Sequence, residues 1–98
     1  MAEIIWAPRA LDDLDALIDY ISRDSSVRAQ RFASRLIYRI GGLSSQPDSG
    51  AWLPEDGRDI YREIYQGSYR VIYRHEDGCI WIVAIHHSAR LLTGDDLP

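Results

Sequence analysis

Lysine is absent from this chain: all eleven basic residues are arginine. Arginine keeps its charge when partly buried and grips a carboxylate or phosphate through two parallel hydrogen bonds. Cysteine is nearly absent too. The lone Cys79 excludes an internal disulfide and fits a reducing compartment. Beside a turn it reads as a small buried hydrophobe rather than a reactive thiol. Long apolar runs are missing. The longest, Cys79 to Ile85, falls far short of the roughly 20 residues of a membrane span. The N-terminus shows no basic segment followed by an apolar stretch, so no secretory signal is expected. The expectation is a cytoplasmic protein without membrane contact. Net positive charge is missing as well. Fifteen acidic residues outnumber the arginines and leave a net charge of −4. Proteins that grip nucleic acid through its phosphates are usually basic, so strong direct binding to RNA or DNA is disfavoured.

What is present is ordinary for a globular chain. Hydrophobic residues make up 46% and charged residues 27% of the 98 positions, unlike a disordered sequence. That length predicts a single domain over residues 1–98, with one modest core. Residues 3–6 read as a short strand. Pro8 occupies a favoured first helical position. Ala7 before it has no side chain to cap with, where Ser or Thr would add about 1 kcal/mol. Leu11, Leu14, Leu17, Ile18 and Ile21 recur at helical spacing and predict an amphipathic helix over 8–23. Asp12, Asp13 and Asp15 in its first turns suit the helix dipole.

Asp24-Ser25-Ser26 then supplies a turn and a cap for a second helix. Ala29, Phe32, Ala33, Leu36, Ile40 and Leu43 share one face of it. Arg28, Arg31, Arg35 and Arg39 form a stripe on another, read as a solvated face. Gly41-Gly42 weakens the helix by about 1 kcal/mol per residue and blurs its end. Residues 44–58 read as a long connecting loop pinned to the body by Trp52. Strands are predicted over 59–65, 69–75 and 79–86, with turns at Gln66-Gly67-Ser68 and Asp77-Gly78. Leu91 to Pro98 reads as a fraying or partner-binding tail. The fold class is α+β: an N-terminal strand, an α-helical hairpin, then a three-stranded antiparallel sheet packed on the helices. The sheet's other face is expected to be open.

The chemistry gathers in the last third. Alternation puts Arg70, Ile72 and Arg74 on one strand face and Tyr69, Val71 and Tyr73 on the other. The arginines are assigned to the outer face, because an unpaired buried guanidinium is costly. Arg62 lies with Ile60 and Ile64, and Glu63 lies with Tyr61 and Tyr65. His86 and His87 point oppositely, and Arg90 follows where the chain leaves the sheet. Such a set has three readings. It can cleave RNA, with a base, an acid and a cation on the phosphorane. It can hold a protein partner through arginine and aromatic anchors. Or Arg62, Arg70 and Arg90 simply pair with Glu63, Glu76 or Asp77 on an exposed sheet. No glycine-rich phosphate loop and no metal-ligand spacing is present, so neither cofactor nor metal is expected.

Read together, these segments resemble a known family. Ile5-Trp6-Ala7-Pro8 with Ala10, Asp13-Leu14 and Asp19-Tyr20-Ile21 looks like the opening of the RelE/ParE superfamily of bacterial toxins. Pro54-Glu55, Arg62-Glu63-Ile64, the run from Tyr69 to Arg74, and His87-Ser88-Ala89-Arg90 look like its second half, in the ParE-like branch. The resemblance implies the toxin of a type II toxin–antitoxin module, neutralised by a cognate antitoxin that wraps its surface. ParE-like members poison DNA gyrase, whereas RelE-like members cut mRNA on the ribosome. Nucleic acid is then met only through the antitoxin or the ribosome.

Three features lean away from the nuclease. The strand before Arg70 holds Arg62 alone, the tail after His87 has no His or Tyr, and the net charge is acidic. The resemblance therefore implies a gyrase poison that catalyses nothing, with Arg62, Arg70, Tyr73, His87 and Arg90 on its target- or partner-binding surface. The alternatives are a nuclease using Arg70, His87, Arg90 and Glu63, or an inactive homologue kept for antitoxin binding. The sequence also departs from the ParE-like pattern. Gly50-Ala51 replaces the usual Gly-Arg, and Ala7 replaces a Ser or Thr cap. Loss of that loop arginine implies attenuated toxicity if it contacts the target.

Overall fold

The computed structural model describes residues 1–90, 92 and 97. Strand β1 (Glu3–Trp6) leads into helix α1 (Pro8–Ser22) and helix α2 (Ser26–Gly41). A single 3-10 turn, Gly42–Ser44, follows. Then come β2 (Ala51–Trp52), β3 (Arg62–Gln66), β4 (Tyr69–Glu76) and β5 (Cys79–His87). The sheet has five strands in the order β1-β5-β4-β3-β2. β1 runs parallel to β5 and the other pairs are antiparallel.

The strand-helix-helix-sheet order predicted from sequence is observed. Two details differ. The supposed loop of residues 44–58 contributes β2, and β1 joins the same sheet, which is therefore mixed and five-stranded. Neither addition carries much sequence signal, because one is two residues long and the other pairs with the chain's far end. No helix among the described residues is long and apolar enough to cross a membrane.

The local chemistry explains the element ends. Ala7 precedes α1 in an extended conformation and makes no side-chain cap. Ser25 caps α2, its hydroxyl accepting from the Arg28 amide at 3.1 Å. Asp77 and Gly78 both have positive φ, 54° and 74°, as a two-residue type I′ turn requires.

A bulge sets the sheet's two faces. Ile72 opposes Ala84 while Tyr73 opposes Ile82, so Val83 is an extra residue on β5. Ile80, Ile82 and Ile85 can then all face the helices. They pack there with Ile64, Val71 and Tyr73 against Ala10, Leu14, Leu36, Ile40 and Leu43. The opposite face is not open, contrary to expectation. Ile72, Val83 and Ala84 pack beneath Leu53, Tyr61 and Leu92 in a second buried cluster. Leu53, 2% exposed, is what pins the 44–58 segment down; Trp52 stays 45% exposed. Of the predicted tail, Leu92 is buried in this cluster and Leu97 packs beside it. The rest of that tail lies outside the described residues.

β1 stops at Trp6, opposite Ile82, and leaves the later part of β5 as an edge. Helix α1 covers it. The Asp13 carboxylate accepts from the Ile85 amide at 2.9 Å, replacing a missing ladder bond. That contact, more than the helix dipole, is the role of Asp13.

Candidate functional site

Arg70 is where the sequence expectation and the structure diverge most. The register places it opposite Tyr65 on β3 and opposite His86 on β5, on the face away from the helices. That much was expected. Its exposure was not: the residue is only 4% exposed. The cost of burial is met by two carboxylates. Nε donates to Glu63 Oε1 at 2.8 Å, and the two terminal nitrogens donate to both oxygens of Glu55 at 2.7 Å each. The Glu55 contact is the fork-on-fork geometry that gives arginine its strongest pairing.

The electrostatics follow from this arrangement. The Arg70 hydrogen bonds hold the Glu55 carboxyl below its usual range, and the Leu92 backbone adds to the effect. The Glu55 bonds in turn raise the Arg70 guanidinium above its ordinary value. Partial burial and a hydrogen bond to Glu63 push the neighbouring Tyr65 hydroxyl up. One cation facing two carboxylates leaves the trio net negative. A phosphate approaching Arg70 would have to displace Glu55, and with it the loop that Leu53 anchors.

The histidines divide between the faces, as alternation requires. His86 is 5% exposed and sits between two arginines. Nε2 lies 3.0 Å from Arg9 and Nδ1 lies 3.1 Å from Arg90. A neutral imidazole accepts at one nitrogen only, so its tautomer decides which arginine donates to it. His87 points to the helix side and meets Tyr69 edge-on, with ring centroids 5.4 Å apart. Its Nδ1 accepts from the Ala89 amide at 3.1 Å. Arg70 and His87 are therefore on opposite faces of the sheet and do not form one catalytic group.

Tyr73 is fully buried on the helix side. Its hydroxyl donates to the Pro47 carbonyl at 2.8 Å and accepts from the Gly50 amide at 2.9 Å. Burial pushes this hydroxyl's pKa up. Expected to meet a partner, Tyr73 and Arg70 instead hold the 47–55 segment to the sheet. Both are buried, Tyr73 completely and Arg70 to 4% exposure.

Arg62 is half-buried, with its side chain 18% exposed. Its guanidinium lies 3.8 Å from the Trp52 ring centre and donates to the Asp48 and Gly50 carbonyls at 3.1 and 2.8 Å. Nearby, His75 Nδ1 lies 3.0 Å from Asp48 Oδ1. That hydrogen bond holds the Asp48 carboxyl below its usual range. Asp48, Trp52, Ile60, Arg62, Arg74 and His75 help line a cleft of about 290 Å³ at this end of the sheet.

Sequence reasoning missed Glu55 as the partner of Arg70, Asp48 as the partner of Arg62, and Arg9 as a neighbour of His86. Glu55 had a faint signal, the Pro54-Glu55 pair. Asp48 and Arg9 had none, since both partnerships depend on the folded chain. Among the described residues no group of three or more His, Cys, Asp or Glu could hold a metal ion.

The comparisons with known proteins bear on this geometry. The profile of the family described as "ParE toxin of type II toxin-antitoxin system, parDE" matches residues 4–92. The chain belongs to the ParE toxin family. It is 37% identical over 91 residues to "Toxin RelE2" of Caulobacter vibrioides, covering 93% of this chain and all of that protein. Its fold resembles a chain of the "Chromosomal ParDE TA system from P. aeruginosa", with a TM-score of 0.75 and 21% identity. That match covers 89% of this chain and 96% of the other. The expected RelE/ParE membership is thus met, and with it the role of toxin in a type II toxin–antitoxin system.

Within this ParE-family toxin, the departure at Gly50-Ala51 splits into two halves. A Cβ on Gly50 would lie 2.6 Å from the Tyr73 hydroxyl, so glycine is required there by packing. Ala51 is exposed on the edge strand β2, where a longer side chain would have room to reach outward.

Proposed function

We propose that this toxin acts on DNA gyrase by protein–protein contact and catalyses no reaction itself. It acts in the cytoplasm as a single domain, and its antitoxin neutralises it by covering its surface. One observation carries the non-catalytic part of this reading: the Arg70 guanidinium is bound by Glu55 and Glu63. A nuclease needs a cation free to meet the developing phosphorane charge and an acid or base within reach. Here the cation is occupied, Glu63 is buried with it, and His87 lies on the opposite face. Exposed side chains on this surface include Trp52, beside the half-buried Arg62, at one end of the sheet, and His87 and Arg90 at the other.

Purified toxin should block gyrase supercoiling in a stoichiometric manner, and expressing it without antitoxin should arrest growth with an SOS-type response. The name of the relative RelE2 makes ribosome-dependent mRNA cleavage the natural counter-assay. Cleavage of translated mRNA, with gyrase unaffected, would overturn the proposal. Absence of toxicity in both assays would instead favour a homologue retained for antitoxin binding.

A further inference from the structure

Helix α2 carries charge of one sign. Arg28, Arg31, Arg35 and Arg39 lie on it, and none of the chain's fifteen acidic residues does. Arg28 is paired with Asp24, one turn earlier. Arg31, Arg35 and Arg39 are exposed and have no ion-pair partner among the described residues. They stand one turn apart in a single row along the helix. Beside them Tyr38 is 86% exposed and Ile37 is 53% exposed. Ser34, Arg35, Tyr38, Arg39, Gly42 and Gln66 line an open cleft of about 580 Å³ at the helix's C-terminal end.

The glycines at this end have no explanation inside the chain. Gly41 and Gly42 have φ of −57° and −63°, ordinary right-handed helical values. A Cβ on either would meet nothing within 4 Å. Neither a left-handed conformation nor crowding requires glycine, and glycine weakens a helix relative to alanine. A bare stretch of surface beside an exposed tyrosine and unpaired cations admits another backbone at close range.

We propose that this cleft docks an acidic segment of the antitoxin, with carboxylates on Arg35 and Arg39 and its backbone lying against Gly41-Gly42. The proposal rests on the toxin–antitoxin reading and adds a place and a charge to it. Charge complementarity selects an acidic occupant. A nucleic-acid duplex fits less well, because the neighbouring helix α1 exposes Asp12, Asp15 and Asp19 and a wide polyanion would meet them.

The test measures antitoxin affinity by calorimetry, using coexpressed antitoxin separated from the toxin and refolded. Gly42→Ala should raise the melting temperature of the free toxin by about 4 °C, since nothing obstructs the added methyl. The same change should weaken antitoxin binding on the order of tenfold, by holding the partner's backbone off. Opposite signs on stability and affinity are what a merely structural glycine would not produce. Arg35→Gln and Arg39→Gln should weaken binding and flatten its salt dependence. Arg28→Gln makes the same change in net charge outside the cleft and should leave affinity within about twofold. Wild-type affinity in Gly42→Ala and in both cleft arginine variants would overturn the proposal. So would lost gyrase inhibition, or lost capture of a duplex oligonucleotide, with antitoxin affinity unchanged. A wild-type toxin that fails to bind the antitoxin at all would overturn the toxin–antitoxin reading along with it, a distinct result.

Discussion

Arg70 and Glu55 are joined by two parallel hydrogen bonds of 2.7 Å, across fifteen residues of sequence. A strand and a loop are thereby locked together through one guanidinium. Removing one partner of a buried ion pair is far worse than removing both, because a charge is left without compensation. Arg70→Ala strands Glu55 and Glu63 and should destabilise the protein by about 3–5 kcal/mol. Urea denaturation checks this. A combined change, Arg70→Met with Glu63→Leu and Glu55→Gln, should recover much of the loss. If Arg70→Ala leaves the denaturation midpoint unchanged, the clamp has no structural role. Loss of toxicity in that variant is informative only once its folding has been verified.

The pH dependence has a definite sign. Glu55 has a folded pKa below its ordinary 4.5, first because of the Arg70 hydrogen bonds. A depressed carboxylate pKa contributes stability above the unfolded value and loses it as pH falls through the folded value. Thermal stability should therefore be insensitive to this group above about pH 5 and should fall below about pH 4.5. Glu55→Gln should be less stable at neutral pH and should show a shallower acid decline. An acid limb of equal steepness in both proteins would contradict this assignment.

Gly50 and Tyr73 form a second lock. Tyr73→Phe leaves the Gly50 amide and the Pro47 carbonyl without their hydroxyl partner, a loss of about 1–3 kcal/mol. Gly50→Ala should do at least as much damage. Its Cβ would meet the Glu63 carbonyl at 2.8 Å, and backbone cannot swing aside as a flexible side chain can. Combining the two changes should give less than the summed effect, because the phenylalanine removes the oxygen that the methyl strikes. Full additivity in a double-mutant cycle would argue that the methyl's strain lies elsewhere.

The two helices make a matched pair for capping. Ala7 already has the extended conformation of an N-cap, with ψ of 148°, but offers no acceptor. Ala7→Ser should stabilise by about 1 kcal/mol and raise the melting temperature. Ser25→Ala should lower it by a similar amount, since the Ser25 hydroxyl accepts from the Arg28 amide. No gain from Ala7→Ser would show that the first turn of α1 already satisfies its amides by other means.

Helices and hairpins were legible in the sequence because their signals are local. The 3.6-residue recurrence of Leu14 with Leu17 and Ile18 needs only neighbours along the chain. So does the left-handed turn at Asp77-Gly78, and so does a helix cap within Asp24-Ser25-Ser26. The order of elements followed from these signals, and the family resemblance followed from motifs in that order. The sequence by itself thus determined the elements, their sequence and the toxin family. It also determined which side of β4 carries Arg70, since alternation is a property of the strand.

Tertiary structure decided what that side faces. Alternation says nothing about a loop that folds back from residues 47–58 or a tail that lays Leu92 across the sheet. Only their arrival turned an outer face into a second core and a solvent-facing arginine into a buried one. The Val83 bulge is of the same kind. It comes from the pairing of β4 with β5, and it lets Ile82 and Ile85 share a face that strict alternation would deny them. Long-range pairing is paid in loop-closure entropy and leaves little mark on local composition. For that reason the arginine ladder was visible from the start, while its partners, and so its role, waited for the fold.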